Sequence, residues 1–343
     1  MEKVPTQSHL EGMQLTPEVI KQNFKNKRIS PDQDFKDLYS AFPHDMERAT
    51  RLQNQYETQQ GKDELGFLGE ALVFNRLEEG ALGSSITARG TSVYDDLFHG
   101  ADVVVESTGR QQRDPIVSSI DVTLGQQATG TQARSKFESE GVVHEVGLEK
   151  KLERVKGHIE YIAQYPPERA VEMFAWLQSG GLSHTRNSAN QKQFDEAEKL
   201  MLLKYYKNPS TSDNPHKPHF VLAGPQVVLS LDRSFVNKTF SGSQQEKAIK
   251  DIDALIQVEV PFAVAAITQY LDNYAVHLSK NRQASNLFFD MTRAACKAWE
   301  LTFDTEQYQL RIQKAIEVCL KDPELKKQVM YYQQTLNTAF NLK

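Results

Sequence analysis

The sequence predicts an α/β fold: a mixed central sheet flanked by helices, with a helical extension before it and a helical bundle after it. Three observations predict this. Between residues 62 and 241 the hydrophobic period switches repeatedly, in the order helix, three strand-like runs, helix, strands. From Ser243 onward the pattern is helical almost throughout, and residues 1–61 are polar and helix-prone with no strand-like alternation. The expected organisation is an N-terminal extension (1–61), an α/β domain (62–241) and a C-terminal helical domain (242–343).

In the extension, Ser30-Pro31-Asp32 supplies an N-cap followed by proline at the first helical position, opening a helix through Phe35, Leu38 and Tyr39. The polar stretch Glu47 to Gln60 is expected on the surface. The α/β domain starts with a helix over Leu65 to Glu79, whose Phe67, Ala71, Phe74 and Leu77 form one apolar side. Short strands are expected at Ser85–Ala88, Ala101–Glu106 and Pro115–Leu124. A loop rich in Gln, Thr and Gly then leads to a strongly periodic helix, Gly147 to Ala163. Glu172–Gln178 and His219–Leu231 read as further strands, and Asn187 to Lys217 as a polar surface insertion. In the C-terminal bundle, Asp304-Thr305 caps one helix and Asp322-Pro323-Glu324 opens the last.

The chemistry-bearing residues are carboxylates. Ala101–Glu106 and Pro115–Thr123 form an antiparallel hairpin around a polar turn, and Asp102 and Asp121 lie symmetrically about its midpoint between residues 111 and 112. They are therefore cross-strand neighbours. Like charges facing each other are destabilising unless a proton or cation lies between them. Hard oxygen donors of this kind suit Mg²⁺, which keeps part of its water shell and binds phosphate oxygens. The alternative is an edge hairpin guarded by inward charges. Glu70 falls inside the apolar stripe of the first helix, where it either reaches solvent at the stripe's edge or joins the aspartates around a cation. Asp95 and Asp96 read either as an extension of this acidic set or as turn residues.

Gly66-Phe67-Leu68-Gly69-Glu70 on the helix, Gly100-Ala101-Asp102 opening a strand and Ile120-Asp121-Val122-Thr123 ending the next resemble the PD-(D/E)XK, or restriction-endonuclease-like, nuclease superfamily over residues 62 to 231. The resemblance implies a sheet flanked by helices and Mg²⁺- or Mn²⁺-dependent cleavage of nucleic acid, DNA in the first instance. It implies that Asp102, Asp121 and the Val122 carbonyl hold the metal and that Glu70 completes or orients the site. The departure is Thr123, which stands where the pattern has lysine. A threonine hydroxyl donates a hydrogen bond but carries no charge to offset that building on a scissile phosphate. In some members the lysine has migrated to the following helix. Lys151, at the edge of the stripe formed by Leu148, Leu152, Val155, Ile159 and Ile162, is the matching candidate here; otherwise it is a snorkelling surface lysine. Lys150, Arg154 and His158 share a more exposed face and read as phosphate contacts or as a solvated helix face.

Other classes lose their support. Forty Lys and Arg against 45 Asp and Glu give a net charge of −5, so a polyanion must be met by a local basic patch. The two cysteines form neither a disulfide framework nor a zinc motif, His216 and His219 lack partner ligands, and no secretory leader is visible. A reducing, cytoplasmic setting is the expectation. The longest apolar stretch, Val258 to Ile267, is broken by Glu259 and Pro261, so no membrane role is expected. No phosphate-binding glycine loop, dinucleotide fingerprint or serine-nucleophile elbow is present. Three readings follow: a Mg²⁺-dependent nuclease, an inactive scaffold of the same fold that binds nucleic acid or protein, and a module whose C-terminal helices dock a protein partner.

Overall fold

The computed structural model describes residues 16–29, 35–36, 38–60, 64–107, 115–125, 147–206 and 219–342. The Ser30-Pro31-Asp32 cap, the hairpin turn, the Gln/Thr/Gly-rich loop and His216 lie outside them. The chain is α/β, with a small mixed sheet of four strands flanked by helices.

Helix α1 (Pro17–Lys27) starts where the Thr16 hydroxyl accepts from the Val19 amide, with Pro17 at the first position. Its Phe24 packs against Phe67 and Phe74 of α3 (Glu64–Glu78), with ring centroids 5.6 and 5.2 Å apart. In the sequence, α2 (Phe42–Gln60) separates these two helices. Helix α3 lies close on the sheet because Gly69 has no side chain: a Cβ there would stand 2.8 Å from a Leu124 methyl.

Strands β1 (Ile86–Gly90), β2 (Val103–Ser107) and β3 (Ile116–Gly125) form an antiparallel meander. Helix α4 (Val93–His99), capped by Ser92, lies between the first two. Val103 stands opposite Ile120, so the next pair outward is Asp102 with Asp121. After α5 (Leu148–Gln164), α6 (Pro167–Gln178) and α7 (Gln191–Leu200), β4 (Gln226–Asp232) joins β3 in parallel. A crossover of this length is what a parallel pair requires.

Three expectations are corrected here. Glu172–Gln178 is the end of α6, and its buried residues Ala170, Met173 and Leu177 recur at helical spacing. The expected surface insertion contains α7 and then Met201–Tyr206, all buried; only 207–217 of it lie outside the described residues. The expected strand at His219 is an isolated bridge of Val221 to Leu203, with the strand proper starting at Gln226.

After β4 come α8 (Arg233–Thr239), α9 (Gln245–Lys280), α10 (Leu287–Phe303), α11 (Glu306–Lys321) and α12 (Pro323–Ala339). These helices cover the open edge of β4. Glu259 of α9 accepts from the Ser230 amide at 2.9 Å, Gln328 of α12 accepts from the Asp232 amide at 3.3 Å, and the Tyr332 hydroxyl donates to the Val228 carbonyl at 2.6 Å. Side chains thus satisfy a strand edge that would otherwise offer unpaired backbone groups. At the other edge, the Ile29 amide donates to the Gly90 carbonyl at 3.0 Å. Helix α9, with the preceding turn, is long and apolar enough to cross a membrane by length and composition. Of its most apolar window, 72% is buried inside the protein. One contiguous apolar core joins residues from Ile20 to Phe340.

Candidate active site

The site is built where the β2–β3 hairpin opens toward α5. Asp102 lies just before β2. Its amide donates to the Ile120 carbonyl at 2.9 Å, and its carboxylate accepts from the Val122 amide at 2.7 Å. Asp121 points to the same side of the hairpin as Asp102, since directly opposed residues share a face. Both are buried, at 4% and 2% exposure.

Helix α5 supplies two cations to Asp121. The Lys151 amine donates to one carboxylate oxygen and, at 2.9 Å, to the Val122 carbonyl. Arg154, three residues on and so on the same side of the helix, donates to the other oxygen at 2.6 Å and to the Gly100 carbonyl at 3.3 Å. Gly100 ends α4 in the left-handed region at φ +61°, and a Cβ there would fall 1.9 Å from the Arg154 guanidinium. Only glycine leaves room for this arginine. Thr123 is buried and follows Asp121 on the same face of β3.

Glu70, half-buried on α3, completes the acidic side. Burial first, and then the charges of Asp102 and Asp96, push its carboxyl well above the usual range, with Arg28 and Lys151 opposing. Asp102 is pushed up in the same way, by burial, Asp121 and Asp96, against Lys151 and the Val122 amide. Burial works against the charge of Lys151, but Asp121, Asp102 and Glu70 together raise its pKa above the ordinary lysine value. The lysine therefore keeps its charge, while the two neighbouring carboxyls bind a proton more readily than usual. Burial is the first cause of the carboxyl shifts, and the excess of Glu70, Asp96, Asp102 and Asp121 over Arg28, Lys151 and Arg154 adds to it.

Lys151, Asp121, Asp102, Val122 and Glu70 are thus brought into one neighbourhood. The trio Lys150, Arg154 and His158 does not form one exposed face. Lys150 is exposed and Arg154 is held at Asp121. Burial, then the charge of His99, lowers the pKa of His158 to about 4. It carries no charge for a phosphate near neutrality.

One participant escapes sequence reasoning. Arg28 pairs with Asp96 at 2.6 Å and donates to the Thr91 carbonyl at 3.0 Å, and no spacing in the sequence ties Arg28 to either residue. Asp96 belongs to this acidic neighbourhood, whereas Asp95 turns away into a second, buried network. There Asp95 accepts from the Lys204 and Tyr205 amides at 2.7 and 3.0 Å. The Lys204 amine donates to Asp45 and Glu198 at 2.5 and 2.8 Å.

The donor chemistry fits a hydrated divalent ion: two buried carboxylates and a carbonyl of hard oxygen, with an excess of negative charge around them. Among the described residues no group of three His, Cys, Asp or Glu side chains is placed to hold a metal ion as it stands. No family model, no curated protein and no solved structure matches this chain.

Proposed function

We propose that this chain is a metal-dependent phosphodiesterase of nucleic acid, DNA in the first instance, built on a restriction-endonuclease-like core. The observation that carries the reading is Lys151. Reaching from the helix after β3, it brings a charged amine to Asp121 and the Val122 carbonyl, beside the strand position where Thr123 provides none. The element order helix, three antiparallel strands, helices, parallel strand supports the same reading.

In this reading Asp102, Asp121 and the Val122 carbonyl would hold Mg²⁺ or Mn²⁺. Bound there, the ion lowers the pKa of a water and offsets charge on the phosphate. Lys151 donates to a non-bridging phosphate oxygen as charge builds on it, and Arg154 orients Asp121. Glu70, with its raised proton affinity, holds or takes a proton at the edge of the site. Both cysteines are free and buried, as suits a reducing cytoplasm.

A second reading has its own observation. Lys151 and Arg154 already occupy both oxygens of Asp121, the arrangement of an inactive scaffold whose cations have taken the metal's place. Exposed apolar side chains on the C-terminal helices, Leu301 at 68% among them, offer such a scaffold a protein-binding surface.

Incubation with single-stranded, duplex and branched DNA and with RNA, in Mg²⁺, in Mn²⁺ and in chelator, separates the two. Cleavage that chelator and Asp121→Ala both abolish is expected, with Lys151→Met slower by about 100-fold. No cleavage of any substrate in either metal leaves the scaffold reading.

A further inference from the structure

Arg154 is also a wall of a second space. A cleft of about 740 Å³ opens on the far side of it, between α2, α4, α5 and α7, within the size range of small-ligand sites. Its rim carries two cations, Arg48 and Lys199, with no carboxylate at ion-pair distance among the described residues. The Arg48 guanidinium lies 4.1 Å from the Phe98 ring centroid, and the Lys199 amine 5.9 Å from that of Tyr161. A guanidinium stacked by its face keeps its N–H edge available, the geometry that receives a phosphate. The acids that line the cleft are already paired: Asp195 with Arg186, itself a lining residue, at 2.5 Å, and Glu198 with Lys204 at 2.8 Å.

His158 lines the same cleft, and its Nε2 is a buried nitrogen without a hydrogen-bond partner among the described residues. Burial keeps the ring neutral, so Nε2 is a donor or an acceptor according to the tautomer. A buried polar nitrogen left unmet is costly, and a polar group of a ligand would relieve it. The cleft therefore asks for a ligand that is anionic at one end and carries a polar group and a flat, apolar surface at the other.

We infer that this cleft binds one nucleotide unit of the substrate, its phosphate at Arg48 and Lys199 and a base amine or sugar hydroxyl at His158. Arg154, touching both the cleft and Asp121, then places that unit next to the phosphate at the acidic site. The inference rests on the phosphodiesterase reading for its substrate but not for its test.

The test is titration calorimetry of the full chain with deoxyadenosine monophosphate in chelator, where no cleavage occurs, with inorganic phosphate as the second probe. The nucleotide is expected to bind more tightly than phosphate. Arg48→Ala and His158→Ala should each weaken it by about 10-fold. Arg48→Lys should restore only part of the loss, because lysine lacks the stacked fork. His158→Gln, which keeps a hydrogen-bonding side chain of similar reach, should restore much of it. Failure of the nucleotide to bind, or binding indifferent to Arg48 and His158, overturns the inference even if the protein cuts DNA. Nucleotide binding sensitive to both residues in a protein that never cleaves sustains the cleft and refutes the nuclease.

Discussion

Replacing Glu259 by glutamine probes how the C-terminal helices are fastened to the sheet. Glu259 is fully buried beneath β4, where one oxygen accepts from the Ser230 amide and the other lies 3.2 Å from the Gln328 amide nitrogen. Burial pushes its carboxyl from 4.5 up to about 8, and the two hydrogen bonds only moderate the rise. Between those two pH values the folded protein keeps a proton that the unfolded chain has released. Stability attributable to this group is therefore fully present below pH ~4.5 and is lost as pH rises toward 8. The interval from 4.5 to about 8, at ~1.4 kcal/mol per pH unit, amounts to about 5 kcal/mol.

Glutamine has the shape of the protonated acid and does not titrate. Glu259→Gln should fold with a penalty of about 1 kcal/mol at pH 5, where an amide now faces Gln328. By pH 8 it should be the more stable protein, by several kcal/mol. The assay is urea unfolding of parent and variant at half-unit steps from pH 5 to 8.5. Glu70 and Asp102, raised in the same direction, add an equal slope to both proteins and cancel in the difference. Parallel pH profiles would refute the reasoning and mean that Glu259 ionises in place without cost.

Lys204→Met leaves Asp45 and Glu198 facing each other in a buried network without their shared cation, and should cost about 3–5 kcal/mol in chemical denaturation. Adding Asp45→Asn should recover part of that loss. Gly100→Ala places a Cβ into the Arg154 guanidinium at a left-handed position. It should destabilise by at least about 1–2 kcal/mol from the backbone alone, measured as a fall in melting temperature. An alanine variant as stable as the parent would show that Arg154 does not depend on this approach.

Local periodicity determined much of this protein. The apolar stripes of α3 and α5, the Asp322 cap of the last helix and the symmetry of Asp102 and Asp121 about their turn are properties of near neighbours in the chain. They survive in the structure as helices Glu64–Glu78 and Leu148–Gln164 and as the Val103–Ile120 register. The position of Lys151 at the edge of its stripe was legible for the same reason. What only the tertiary structure decided are pairings across long separations. Arg28 meets Asp96, Lys204 meets Asp45 and Glu259 meets Ser230, over 68, 159 and 29 residues. The polar text after Asn187 reads as surface because charge usually seeks water, yet Lys204 is wholly buried, since two carboxylates from other elements take the place of its solvent. Glu172–Gln178 is a short apolar run that reads as a strand, and the neighbours its buried face meets make it part of a helix. Short windows fix spacing along one element, whereas the partner of a charge and the face that is buried are set by elements the window does not contain.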